Sequence, residues 1–159
     1  INRKMIDADA DRYSFVSEPV EIKIKNAENI KDISVQIHPD KKEKRKVAIG
    51  KSIFISKQDY EKLKGKEIRL LHLYNIKLDK SKKEGEFTSL DNKDIPKINW
   101  VSIGKKVKIL MPDGKWSLGL AEEAVKDIKV DSIIQFERFG FARCDKNSLS
   151  ESEFWFAHR

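Results

Sequence analysis

Apolar residues recur at every second position along much of this chain. Residues 20–25 read Val-Glu-Ile-Lys-Ile-Lys, and 32–38 set Ile33, Val35 and Ile37 between polar neighbours, the period of a strand with one covered face. The segment 40–46, Asp-Lys-Lys-Glu-Lys-Arg-Lys after Pro39, then predicts a solvated connection. Strand character resumes at Val47, Ile49, Ile53 and Ile55, interrupted by Gly50. Ser56 followed by Asp59 predicts a capped short helix over 57–64 with Gly65 at its exit. In 67–78 residues of both parities are apolar (Ile68, Leu70, Leu71, Leu73, Ile76, Leu78), which predicts one strand covered on both faces. A polar loop over 81–85 and a weak strand over 87–90 follow, and Ile95, Ile98, Trp100, Val101 and Ile103 lead into a strand over 106–111. Pro112-Asp113-Gly114 turns that strand into another over 116–120. Residues 121–126 suit one or two helical turns, and Phe154-Trp155-Phe156 a last strand.

The densest apolar stretch is 132–141, where Ile133, Ile134, Phe136, Phe139 and Phe141 surround Gln135, Glu137 and Arg138. It predicts a buried or half-buried strand punctuated by Gly140. Polar groups in such a strand need partners. Either Glu137 pairs with a basic neighbour, or a ligand supplies the hydrogen bonds. Many short strands, turn punctuation and two brief helices together predict an all-β barrel architecture. A gentle shift in composition places a domain boundary near Pro96.

Composition adds limits. Charged residues at 37% and apolar ones at 39% of 159 residues fit a heavily charged surface over a core, as one domain or two small ones sharing it. The 33 basic against 26 acidic residues leave +7, which suits a polyanionic partner and equally suits solubility. One cysteine, Cys144, excludes an internal disulfide and fits a reducing compartment. No apolar run reaches the length of a membrane span, and Ile1-Asn2-Arg3-Lys4-Met5 carries no apolar targeting segment, so a cytoplasmic protein is expected. The first residue is not methionine, which suggests a piece of something longer.

Few constellations carry chemistry. Asp7, Asp9 and Asp11 with Glu18 mimic a calcium loop, but Arg12 stands where the turn needs glycine and no amphipathic helices flank it, so an acidic surface segment is expected. His38, His72 and His158 are scattered and Cys144 has no partner at ligand spacing, so no metal site is expected. Ile49-Gly50-Lys51-Ser52 holds only the end of a phosphate loop, and no residue has a nucleophile's setting. Arg69 in its apolar strand suits a planar acceptor such as a carboxylate, phosphate or base edge, or an ion pair with Glu67 or Glu137.

Asp11-Arg12-Tyr13-Ser14-Phe15-Val16 with Pro19-Val20, Ile37-His38-Pro39, Gly65-Lys66-Glu67-Ile68-Arg69-Leu70, Ile98-Asn99-Trp100-Val101, Gly119-Leu120-Ala121-Glu122 and Gln135-Phe136-Glu137-Arg138-Phe139-Gly140 occur in this order. Across nearly its whole length the chain resembles the C-terminal anticodon-binding region of archaeal-type glutamyl-tRNA synthetases, which are similar to glutaminyl-tRNA synthetases. The closing Phe156-Ala157-His158-Arg159 resembles the archaeal glutamyl branch more. The resemblance implies two packed β-barrels with one or two short helices. The proximal barrel is expected over 1–96, completed by 134–159, and the distal one over 97–133. It implies a catalytic domain upstream of Ile1 that uses ATP and Mg, no cofactor in this part, and a monomer that binds tRNA-Glu, with tRNA-Gln as a further partner. A glutaminyl-type module, or a basic β-barrel scaffold binding RNA or protein without regard to the anticodon, are the alternatives.

By the same resemblance Arg12, Arg69, Gln135 and Arg138 contact the anticodon, with Asp11 competing for the alignment of Arg12. Two basic contacts of glutaminyl enzymes fall here on Tyr60 and Glu61, for which Lys62 or Lys64 can compensate. The run holding Lys41, Lys42, Lys44 and Arg45 is expected to be solvated, with phosphate contact as its other role. Glutamate and glutamine anticodons share a central uracil, whose N3 donor and O4 acceptor suit an amide such as Gln135; a flipped amide suits cytosine as well, so Gln135 alone discriminates poorly, while Arg138, a donor only, favours O4 over the amino group of cytosine. Gln135 and Arg138 differ in strand parity, so a bulge or strand end is expected near Glu137.

Overall fold

The computed structural model describes residues 9–27 and 29–159; Asp7 and Ala8 of the calcium-like segment, and the N-terminal 1–5, lie outside the described residues. The chain forms two curled sheets and a small hairpin. The first sheet contains β1 (Arg12–Tyr13), β2 (Phe15–Ser17), β11 (Gly104–Leu110), β12 (Trp116–Glu122), β13 (Ile133–Phe136), β14 (Gly140–Asn147) and β15 (Ser152–His158), ordered β1-β13-β14-β15-β11-β12-β2. Its edge strands β1 and β2 are consecutive in the chain, joined through Ser14, so the sheet curls on itself. The second contains β3 (Pro19–Lys25), β6 (Ser52–Ser56), β7 (Glu67–Leu70), β8 (Asn75–Leu78), β9 (Glu84–Ser89) and β10 (Lys97–Ile98), ordered β10-β7-β8-β9-β3-β6. Paired backbone hydrogen bonds between Phe54 and Val101, 2.7 and 3.0 Å, draw its two edges together. The hairpin is β4 (Asp32–Gln36) with β5 (Lys44–Ala48).

Alternation places the inward side chains in two cores. Tyr13, Phe15, Val107, Ile109, Ile134, Phe136 and Phe154 fill the first sheet, and Ile22, Ile53, Ile55, Ile68, Leu70, Ile76 and Leu78 the second. Helix α1 (Lys57–Leu63) starts as its cap predicts, with Ser56 Oγ accepting from the Asp59 N–H at 3.1 Å, and Gly65 beyond its end takes a positive φ of 83°. The second brief helix is a 3-10 turn, Glu123–Asp127.

Three expectations are corrected. First, the C-terminal strands pair with β11, β12 and β1, not with the strands of 19–89, so 134–159 and most of 97–133 share one sheet. Second, 67–78 is a hairpin: β7 and β8 pair antiparallel, and Leu71 and Leu73, which gave the run its double parity, belong to the turn, where His72 has φ 65°. Third, the charged run 40–46 is not all connection. Its second half enters β5, where alternation turns Arg45 and Val47 inward and Lys44 and Lys46 outward. By contrast, β13 ends at Phe136, the strand end anticipated near Glu137, and Arg138 takes φ 60° in the turn to β14.

Candidate RNA-reading site

The turn between β13 and β14 sorts its residues by direction. Phe136 goes into the core, its ring 5.3 Å from Phe15 and 5.0 Å from Phe154. Glu137 is sealed, its side chain 15% exposed. Gln135 is half-buried on the outer face of β13 and Arg138 is exposed, and among the described residues neither side chain has a hydrogen bond or ion pair.

Glu137 belongs to a buried charge cluster. Arg45, 3% exposed, places Nε 2.6 Å from Glu122 Oε1 and Nη2 2.7 Å from Glu137 Oε1, while its Nη1 donates to the Gln36 carbonyl at 2.9 Å. Glu122 Oε2 accepts from the Ser14 N–H at 2.8 Å, and His72 Nε2 lies 3.3 Å from Glu137 Oε2. Burial pushes the Glu122 carboxyl above its usual range despite Arg45. Burial also opposes ionisation of Glu137, but the hydrogen bonds from His72 and Arg45 outweigh it and hold that carboxyl low. Of the two readings of Glu137, the local pairing is the one found. Arg45 is thereby removed from the candidate phosphate contacts, since it is enclosed by protein carboxylates.

Arg138 lines a cleft of about 550 Å³ where the two sheets meet. Phe139, Phe156 and Arg159 join it from the first sheet's side, Lys62 of α1 and Lys97 of β10 from the other. Lys97 is the register partner of Arg69, which donates to Asn75 Oδ1 at 3.1 Å and to the carbonyls of Leu90 and Asp91 at 3.3 Å, and not to Glu67 or Glu137. Arg69 therefore stands one strand away from the cleft. Arg12 is the register partner of Gln135 and lines a separate groove of about 370 Å³ with Lys44, His72 and Glu137. Its buried Nε has no hydrogen-bond partner among the described residues.

The expected contacts thus fall on both sides of Glu137 and do not line one cavity. Among the other lysines, Lys41 is held by Asp11 at 2.6 Å and by the Asp9 carbonyl, Lys42 is exposed, and Lys64 pairs with Glu61 at 3.2 Å. Tyr60 is buried, which leaves Lys62 as the helix's basic residue in the cleft. Lys97, Phe156 and Arg159 were not legible as cleft residues, because only the sheet order brings them to Arg138. A basic cleft with aromatic rings and an unpaired guanidinium is the setting in which unstacked RNA bases are held.

Comparison with known proteins agrees with that class. Residues 10–94 and 79–145 match two families that are both described as tRNA synthetases class I (E and Q), anti-codon binding domain. The chain belongs to this anticodon-binding family. It is 35% identical to a glutamate–tRNA ligase of Methanocaldococcus jannaschii and 34% identical to one of Pyrococcus furiosus, in each case over all of this chain and 30% of the relative. It is 34% identical to that of Archaeoglobus fulgidus over 91% of this chain and 26% of the relative. The chain therefore spans about 30% of the length of these relatives.

Proposed function

We propose that this chain reads the anticodon loop of tRNA-Glu for a glutamate–tRNA ligase, acting by binding, as a monomer in the cytoplasm. In this reading ATP and Mg serve a catalytic domain of the longer protein, and the described residues here contribute recognition alone. One observation carries it: Gln135 and Arg138 are unpaired, among the described residues, on either side of a largely buried Glu137, and Arg138 lines a basic and aromatic cleft. The Gln135 amide matches the N3 and O4 groups of a central uracil, and Arg138 adds a donor for O4. Arg12 and Arg69 lie outside the cleft of Arg138, which suits a loop whose bases are splayed into separate places. Lys62 and Lys97 supply cations for the backbone. Lys42 and Lys44 remain exposed for the same use.

Glutamine anticodons share the central uracil, so tRNA-Gln is bound by the same groups, and the glutamate reading is supported by the names of the relatives. Binding of tRNA-Glu, and of the same tRNA with cytosine at the middle anticodon position, tests the proposal. Gln135→Ala or Arg138→Ala is expected to cost about 1–3 kcal/mol for the uracil form and much less for the cytosine form. Equal losses for both tRNAs would overturn the reading.

A further inference from the structure

The turn that carries Gln135 and Arg138 is held more firmly than a turn requires. The Phe139 N–H donates to the Phe136 carbonyl at 3.0 Å, which by itself closes the β13–β14 connection. Beyond that, the Glu137 N–H donates to Tyr13 O at 2.9 Å, and the Gln135 N–H to Asp11 O at 2.8 Å. The Glu137 carboxylate is gripped from the hairpin by Arg45 at 2.7 Å and from the second sheet by His72 at 3.3 Å, and the Glu137 carbonyl accepts from Asn99 Nδ2. One residue is thus fastened to all three parts of the fold. Its neighbour Arg138 takes φ 60°, a left-handed conformation that a non-glycine residue keeps only when its surroundings fix it.

The geometry of this grip separates two tasks. Glu137 is largely buried and both of its carboxylate oxygens are engaged by protein groups, Arg45 and His72, although its edge lines the groove of Arg12. The side chains on either side of it are free of protein partners among the described residues, so their aim depends on where the backbone of Glu137 is held. An amide reading one base edge must be placed to within about 0.5 Å and 10–20°. We infer that Glu137 is the positioning residue of the reading turn: its bonds to Arg45, His72 and Asn99 fix Gln135 and Arg138 for base discrimination. The inference rests on the anticodon reading above and deepens it. It assigns specificity, not merely stability, to a residue whose carboxylate is committed to protein partners.

The test uses this chain and synthetic RNA hairpins carrying the anticodon-loop sequence, with uracil or cytosine at the middle position. Glu137→Gln keeps the side chain's shape and one oxygen for Arg45. It is expected to lower the preference for uracil over cytosine about ten-fold, the lower range for one good bidentate base contact. Asn99→Ala, which loosens the same turn from the opposite sheet, is expected to lower it in the same direction and keeps the test open should Glu137→Gln fail to fold. Thermal melting is followed in parallel. Equal weakening toward both hairpins together with a lower Tm would mean that Glu137 serves the fold alone, and unchanged discrimination in both variants would likewise overturn the inference. Arg138→Ala separates the two levels: if it abolishes the preference while Glu137→Gln and Asn99→Ala leave it intact, the anticodon reading stands and the positioning role falls. If the unaltered chain shows no preference, both fall.

Discussion

Tyr13 shows how closely the charges are packed behind the reading turn. Burial, with Asp11 and Glu122 nearby, pushes its phenol up from 10.0 to about 12, against the opposing pull of Arg45, whose guanidinium lies 5.9 Å from the ring centroid. The unfolded chain therefore releases this proton before the folded one, and Tyr13 lowers stability as pH rises from about 10 to about 12. Tyr13→Phe cannot ionise, so it should gain on the unaltered protein between pH 8 and pH 11 in denaturant midpoint. A constant difference between the two proteins across that range would show that Tyr13 is not held neutral by the fold. At this scale the sequence is legible where chemistry and parity coincide. Gln135 and Arg138 stand out as polar groups in an aromatic strand, and both prove open. Arg45 does not stand out, because a run of lysines and arginines gives no sign of which cation two buried carboxylates will claim. Glu122 and Glu137 reach it only through the folding of β12 and the β13–β14 turn against the hairpin.

Elements with their own start and stop signals were readable, and those defined by a remote neighbour were not. Helix α1 announces itself by Ser56, Asp59 and Gly65, and the β11–β12 hairpin by Pro112-Asp113-Gly114. The β7–β8 turn instead carries Leu71, Leu73 and Tyr74, where punctuation by glycine or proline is absent, because the Leu73 and Tyr74 side chains pack in the second sheet's core and the Leu71 carbonyl accepts from Trp100 Nε1 at 2.8 Å. The glycine of the Gly119-Leu120-Ala121-Glu122 block also has a tertiary cause. A Cβ at Gly119 would collide with the Val16 carbonyl oxygen of the adjacent strand β2. The helix cap matters for function because α1 brings Lys62 to the cleft. Ser56→Ala leaves the Asp59 N–H without its partner and should cost about 1 kcal/mol of stability. If Lys62 serves as the proposed backbone cation, RNA binding measured at low temperature should weaken only slightly and without change in base preference. A stability loss near zero would mean that packing of Tyr60 and Leu63 holds the helix without its cap.

The whole molecule is two apolar cores joined by polar welds. Pairing of distant segments, with β1 parallel to β13 and β11 parallel to β15, decides which strands share a sheet, and no local pattern specifies those partners, so the sequence alone does not show which sheet the C-terminal strands join. The welds are specific: Ser14 Oγ to Trp100 O at 2.8 Å, Asn99 Nδ2 to the Glu137 carbonyl, and above all Arg45 between Glu122 and Glu137. Arg45→Met keeps the apolar volume but leaves two buried carboxylates facing one another, and removal of one partner from such a cluster costs about 3–5 kcal/mol. Burial already holds Glu122 above the usual value of 4.5, so without its cation the folded chain binds a proton there more tightly than the unfolded chain does. In the window between those two values the folded state carries the extra proton, and stability rises as pH falls. The deficit of Arg45→Met should therefore be large at pH 7.5 and shrink toward pH 5. If the weld also couples the cores, the single unfolding transition expected of the unaltered chain should split in the variant, with tryptophan fluorescence and far-ultraviolet circular dichroism no longer coincident. A deficit that is equal at both pH values, with one sharp transition retained, would show that hydrophobic contact between the sheets, and not the buried arginine, makes this molecule fold as a unit.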